Sequence, residues 1–359
     1  MAMWDRATGG LAVSVIVPAR NEEASIAGCL QSLVEQGGVG FEIVVVDDGS
    51  TDRTRQIAES FAGVRVMNPP PLPPHWTGKN NAVAAGAKTA RGQWLLLTDA
   101  DTIHRPGSLA RAVAEAEQKG VALLSYSPQQ EVHGFWEKAV MPVIFAELAA
   151  RYRPSEVSDP SGAAAAANGQ YILVSREAYD AVGGQAAVAS SLLEDVALAR
   201  IVKASGRKIF FRYGGDAVRT RMYRSFAQLS EGWTKNLALL FPSPARLALV
   251  RTLEFFLILL GAALVLVWGL AGEVSLALVT VALVVALYAL LLKRIAKAHF
   301  SRDANVLALL GLPLFSYLLL RSKVAHAKGE VSWKGRPYRS TACALRSEPL
   351  GKPLARASS

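Results

Sequence analysis

Two stretches without a single charge dominate what this chain can become. Residues 255–272 (FFLILLGAALVLVWGLAG) and 274–292 (VSLALVTVALVVALYALLL) are separated only by Glu273. Each is close to the roughly 20 residues a helix needs to cross about 30 Å of hydrocarbon. Two adjacent runs of this kind are too apolar to hide in a soluble core. They predict a tight membrane-spanning helical hairpin.

A third apolar run, 306–320 (VLALLGLPLFSYLLL), is shorter and contains Gly311 and Pro313. At that length a re-entrant or interfacial segment is expected. Arg246 and Arg251 precede the first span, and Lys293, Arg294, Lys297 and Arg302 follow the second. Basic flanks face the cytoplasm. The N-terminal part and the 293–304 loop are therefore expected there, in a multi-pass protein of the cell (inner) membrane. From residue 321 onward nine Lys/Arg oppose two Glu, most of the formal net charge of +10. A full third crossing would carry this basic tail outside, so a re-entrant third segment is favoured. The basic surplus then faces membrane, and no nucleic-acid partner is expected. The opening residues MAMWDRATGG lack the pattern of a cleavable signal peptide. Two cysteines, Cys29 and Cys343, cannot form a disulfide framework, which points to a reducing compartment.

The remaining sequence predicts an α/β unit. Residues 12–17 (AVSVIV), 42–46 (EIVVV) and 94–97 (WLLL) are short strand-like runs. Helical patterns at 22–36, 52–62 and 79–90 alternate with them, and this alternation implies a mostly parallel, Rossmann-like sheet. In such sheets ligands bind beyond the carboxyl ends of the strands. Here those ends carry Pro18, then Asp47-Asp48-Gly49-Ser50, then Asp99-Ala100-Asp101. Ser50 or Thr51 is expected to cap the helix beginning near Asp52. One of Asp47 and Asp48 suits a base or ribose. Asp99 and Asp101, two residues apart on an extended segment, suit Mg²⁺ or Mn²⁺ beside a phosphate. Lys79, at a helix start after Trp76-Thr77-Gly78, places a point charge where a phosphate can bind. His75, His104, His133, His299 and His326 show no zinc-ligand spacing.

Four motifs in order carry a family resemblance: VSVIVPARNEE (13–23), EIVVVDDGSTDRT (42–54), GKNNAVAAGAKTARGQWLLLTDAD (78–101) and LLEDVALARIVKASG (192–206). Together they resemble family 2 glycosyltransferases with the GT-A fold. The resemblance implies a nucleotide-diphospho-sugar donor, of the UDP-sugar type, a divalent metal and inversion at the anomeric carbon. By it, Pro18, Arg20 and Glu22 line the nucleotide pocket and Asp48 binds the nucleoside. Asp99 contacts ribose or metal, and Asp101 holds the metal. The W-T-G-K-N pattern at 76–80 resembles the carotenoid- and hopanoid-associated branch, which implies a membrane-lipid acceptor.

The same resemblance makes Asp195 of the Glu194-Asp195 pair the base, with Glu194 as its partner. A base is required because the acceptor oxygen must lose a proton as it attacks. Gly169 and Trp233 are expected on the acceptor side. Arg219, Arg221, Arg224 and Lys235 are candidates for the diphosphate or for lipid headgroups. Processive polysaccharide synthases of the family carry Q-x-x-R-W in this region. Gln228-Leu-Ser-Glu-Gly-Trp233 departs from it, which argues against polymer synthesis. Transfer to polyprenyl phosphate, or chain extension of a polysaccharide, is the alternative enzyme reading, and a catalytically dead nucleotide-sugar-binding scaffold the non-enzyme one. The expected organisation is a tail (1–11), a GT-A domain (12–240), a membrane region (241–322) and a basic tail (323–359). Residues 134–152 and 237–250 are expected to be core or interfacial helices near the acceptor mouth.

Overall fold

The computed structural model describes residues 11–338. The first ten residues, Cys343 and the basic residues from Arg339 onward lie outside the described residues. Strands and helices alternate at first: β1 (Val13–Ala19), α1 (Ile26–Val34), β2 (Phe41–Asp47), α2 (Thr54–Glu59), β3 (Val64–Met67), α3 (Gly78–Thr89), β4 (Trp94–Leu97), β5 (Thr102–His104), α4 (Ser108–Lys119) and β6 (Leu123–Ser127). There follow β7 (Gln129–Gln130), α5 (Phe135–Arg151), α6 (Pro154–Val157), β8 (Ile172–Ser175), α7 (Arg176–Ala181), α8 (Glu194–Ala204), β9 (Ile209–Tyr213), β10 (Val218–Thr220) and α9 (Phe226–Leu240). Three long helices come next, α10 (Pro244–Leu270), α11 (Val274–Ile295) and α12 (Arg302–Lys328), then a hairpin of β11 (Val331–Trp333) and β12 (Arg336–Tyr338).

The main sheet has seven strands in the order β3-β2-β1-β4-β8-β6-β9. β1 runs parallel to β2 and β4, β2 to β3, and β6 to β9. Only β8 is antiparallel to its neighbours β4 and β6. The β-branched runs are buried because helices cover both faces. Leu30 and Leu33 of α1 with Ala112 and Ala116 of α4 fill one side. Ala82 and Val83 of α3 with Leu198 and Val202 of α8 fill the other. The parallel arrangement aims the carboxyl ends of β1, β2 and β4 at one edge, where polar residues gather.

α10 and α11 leave their apolar surface open: only 6% of each apolar core stretch is buried, against 44% for α12. All three are long and apolar enough to cross a membrane. A ring of charges fastens the first two to α5. Arg251 of α10 lies 2.9 Å from Glu147 of α5 and 2.7 Å from Glu254. Arg294 of α11 lies 3.6 Å from Glu147 and 2.8 Å from Glu254. Two arginines that read in the sequence as simple membrane flanks are thus committed to internal pairs.

The apolar 306–320 segment, expected to be re-entrant or interfacial, lies inside α12. α12 is one continuous helix of 27 residues, about 40 Å long. It lies against the α/β half from end to end. Asp303 pairs with Lys138 of α5 at 2.6 Å, Ser322 donates to the Thr234 carbonyl of α9 at 2.6 Å, and His326 Nε2 lies 2.8 Å from the Lys235 carbonyl. Gly311 and Pro313, which read as breakers, sit inside it. A Cβ at Gly311 would overlap the Ala139 carbonyl oxygen of α5. Gly311 therefore allows two helices to touch rather than ending one.

Candidate active site

The loop after β1 and the loop after β2 brace each other. Ser50 Oγ accepts from the Asn21 N–H at 3.0 Å, and the Thr51 N–H donates to Asn21 Oδ1 at 2.8 Å. This corrects the expected Ser50 or Thr51 cap. Asp52 instead accepts from the Thr54 N–H at 3.0 Å where α2 begins. Asp47 is a turn carboxylate that accepts from the Ser50 N–H at 3.1 Å. Asp48, one residue on, faces the cavity. Arg20 donates to the Asp48 carbonyl at 2.6 Å and to that of Gly49 at 3.2 Å, so it stiffens this edge.

The cavity encloses about 520 Å³ at the carboxyl edge of the sheet. Pro18, Arg20, Glu22, Asp48, Lys79, Asp99, Asp101, Gly169, Glu194, Asp195 and Trp233 all line it. Its centre is a lysine bridge. Lys79 Nζ lies 2.7 Å from Asp99 Oδ1 and 2.8 Å from Glu194 Oε1. Thr77 caps α3 by accepting from the Asn80 N–H at 3.1 Å, and this aims Lys79 into the cavity. Burial works against the Lys79 cation, but the two carboxylates outweigh it and hold the amine charged. The charge expected to meet a phosphate is here spent on tying the β4 end to α8.

Glu194 and Asp195 open α8 and are driven apart electrostatically. Burial disfavours charge on Glu194, yet Lys79 keeps its carboxyl below the usual range. On Asp195 the pull of Lys79 is the smaller effect. Burial and the neighbouring Glu194 charge push its carboxyl up to about 6. Its Oδ2 accepts from the Gly169 N–H at 3.0 Å and its Oδ1 from the Val196 N–H at 2.8 Å. A Cβ at Gly169 would lie 3.1 Å from Lys79 Nζ and 3.5 Å from Asp195 Oδ2. Glycine there lets the backbone approach and orient the carboxylate. A buried carboxylate with its pKa near neutrality is suited to accept a proton.

Asp101 is a further perturbed acid. Burial, Asp99 and Glu22 push it up to about 8. Its Oδ1 is buried without a hydrogen-bond partner. An orphaned carboxylate oxygen beside a second carboxylate fits a hard cation whose shell is completed by phosphate and water. Among the described residues no ready-made cluster of three ligands exists.

The opposite wall is apolar. Phe145, Leu148 and Tyr152 of α5, Leu193, Met222, Leu240 of α9 and Ala298 supply it. His299 stacks on Tyr213 with ring centroids 4.0 Å apart, so the turn before α12 closes over the end of β9. Trp233 is 2% exposed, donates its indole N–H to Met141 Sδ at 3.3 Å and meets Phe145 edge-on. It shapes the wall rather than standing free. Arg219 and Arg221 pair with Glu131 at 2.7 Å and Glu137 at 2.9 Å, and Arg224 donates to the Ala24 carbonyl at 3.2 Å. Of those four cations only Lys235 lines the cavity. Lys334 and Arg336, counted in the sequence only as tail charge, line it too. The signal for them was the Lys-Gly pair between VSW and RPY, a possible two-residue hairpin.

Residues 14–180 match the family model described as glycosyl transferase family 2. The chain is 27% identical over 336 residues to the 4,4'-diaponeurosporenoate glycosyltransferase of Staphylococcus aureus (strain USA300), covering 91% of this chain and 88% of that protein. The protein of the same name from strain MRSA252 is 26% identical over the same shares. A solved mannosyltransferase from Pyrobaculum calidifontis, in complex with GDP-Man and Mn²⁺, superimposes with a TM-score of 0.51 at 19% identity, over 89% of this chain and 87% of that one. The fold is therefore GT-A-like, and residues 14–180 form a glycosyl transferase family 2 domain within it.

Proposed function

We propose that this protein moves a sugar, with inversion, from a nucleotide-diphospho-sugar to a membrane-lipid acceptor of isoprenoid, carotenoid or hopanoid type. The observation that carries this reading is the two-sided cavity: carboxylates and Lys79 on one wall, the apolar faces of α5 and α9 on the other. The name of the Staphylococcus aureus relatives, 4,4'-diaponeurosporenoate glycosyltransferase, supports it. Pro18, Arg20, Glu22 and Asp48 hold the nucleoside end of the donor. Asp99 and Asp101 would hold a divalent ion, as the Mn²⁺ complex of the Pyrobaculum calidifontis enzyme supports. Bound there, such an ion offsets the charge of the leaving diphosphate. Asp195, oriented by the Gly169 N–H, takes the acceptor proton while the acceptor oxygen attacks the anomeric carbon from the face opposite the diphosphate. Lys79 keeps Glu194 ionised, and the Glu194 charge keeps Asp195 basic. Trp233 supports the acceptor wall. The α/β half and the 293–304 loop lie on the cytoplasmic side, beside the basic flanks of the spans.

The test uses the full chain in lipid nanodiscs with UDP- and GDP-sugars, Mn²⁺ and a lipid extract. Release of nucleoside diphosphate with a glycolipid of inverted anomeric configuration is expected. Retained configuration, or transfer only to water-soluble acceptors, would overturn the reading.

A further inference from the structure

The C-terminal hairpin returns to the site from 288 residues away. Arg336 pairs with the Asp48 carboxylate, with Nη2 3.1 Å from Oδ1. Lys334 pairs with Glu22 and donates to the Arg20 carbonyl at 2.9 Å. Lys334 and Gly335 form the two-residue tip, with φ of 48° and 75°. Positive φ at both positions is what a tight type I′ hairpin needs, and lysine is a poor residue for it. The fold accepts that backbone and so delivers an ammonium group into the cavity.

Two other cations near the donor seat are committed to the fixed frame. Lys79 bridges Asp99 and Glu194, and Arg20 holds backbone carbonyls. Lys334 and Arg336 stand on a separate element. A lone two-stranded hairpin has little stability of its own. Val331 is its buried anchor, and Lys235 lies 5.2 Å over the Trp333 ring. On the proposed reading, on which this inference rests, the nucleoside takes Asp48. The donor then displaces Arg336 from its carboxylate and delivers a diphosphate in the same event. A guanidinium is matched to two phosphate oxygens, and charge-assisted bonds of this kind are strong.

We propose that the Val331–Tyr338 hairpin is a donor-responsive clamp. Without donor, Lys334 and Arg336 hold Glu22 and Asp48; with donor, they turn onto its diphosphate.

The experiment uses the full chain in nanodiscs with UDP or GDP and Mn²⁺. A fluorophore is placed on exposed Ser332 as Ser332→Cys in a Cys343→Ser background; Cys29 is buried and does not compete. Nucleoside diphosphate should change the emission more than the free nucleoside does, because only the diphosphate gives Lys334 and Arg336 a new seat. In Lys334→Ala/Arg336→Ala, affinity for the diphosphate should fall by about tenfold or more, while nucleoside affinity should hold or rise because Asp48 is freed. Arg336→Lys, which keeps the charge, should recover part of the loss. Equal or tighter diphosphate binding by the double variant would overturn the clamp and leave a static plug. A silent fluorophore in a protein that binds diphosphate would overturn it as well. If the unmutated protein binds neither UDP nor GDP, the donor reading falls together with the clamp.

Discussion

The carboxylate wall of the cavity comes from short segments between residues 18 and 195, each at a strand end or in the first turn of a helix. The apolar wall comes from α5, α9 and the turn before α12, elements brought together by helix packing. The polar wall thus follows from where each segment stops. The apolar wall follows from which helices touch. The division assigns chemistry to one wall and acceptor recognition to the other, and variants on each side should fail in different ways.

The largest effect should come from Asp195. Asp195→Asn keeps the size and the contact with Gly169 but cannot take a proton. Turnover should fall by about 10²–10⁴-fold, the usual range for loss of a general base, while nucleoside diphosphate affinity stays near normal. Transfer assays beside calorimetry measure both. This variant also sharpens the acceptor wall. A hydroxyl acceptor must lose a proton, whereas a carboxylate acceptor arrives without one. A loss well below that range therefore marks an acid acceptor.

Leu148 tests the other wall. Leu148→Ala removes apolar surface from α5 without touching a charge. The KM for the lipid acceptor should rise by about tenfold, the equivalent of burying one or two methylene groups. Hydrolysis of the donor in the absence of acceptor should not change. A matching rise in the donor KM would show that the two walls do not divide the work.

This contrast also explains what the sequence made legible. β4 was read at its true limits, and Asp48, Asp99, Asp101 and Asp195 all reach one cavity, because strand-end positions are set by local pattern. The continuity of α12 was not legible because Gly311 acts through a partner helix about 170 residues away, and nothing local reports that α5 is there. Ser50 and Thr51 were misread as caps because a hydroxyl that can cap a helix can equally brace a neighbouring loop. The Lys-Gly pair signalled a hairpin, but where its cations go was not legible, for the same reason as α12. Their partners, Glu22 and Asp48, lie near the other end of the chain.

A smaller effect is expected from pH. Asp195 is pushed up to about 6 by burial and by Glu194. The base works deprotonated, so turnover should be flat above about pH 7 and fall about tenfold for each unit below pH 6. Asp195→Asn should abolish that limb. A limb that survives the substitution would assign it to another group.

The smallest effect on chemistry, and the one that probes how the walls are joined, concerns Gly311. A Cβ there overlaps the Ala139 carbonyl of α5, so Gly311→Ala must push α12 off the helix that carries Phe145, Leu148 and Tyr152. Overpacking of a close helix contact costs about 1–3 kcal/mol. The unfolding temperature in detergent should drop by several degrees. Because the carboxylates stand on strand ends that α12 does not touch, donor affinity should be unchanged, and any catalytic loss should appear as a modest rise in the KM for lipid. Thermal unfolding and steady-state kinetics on the same preparation would separate the two. A fall in donor affinity would mean that the helices hold the polar wall in place as well, and that the cavity is one mechanical unit.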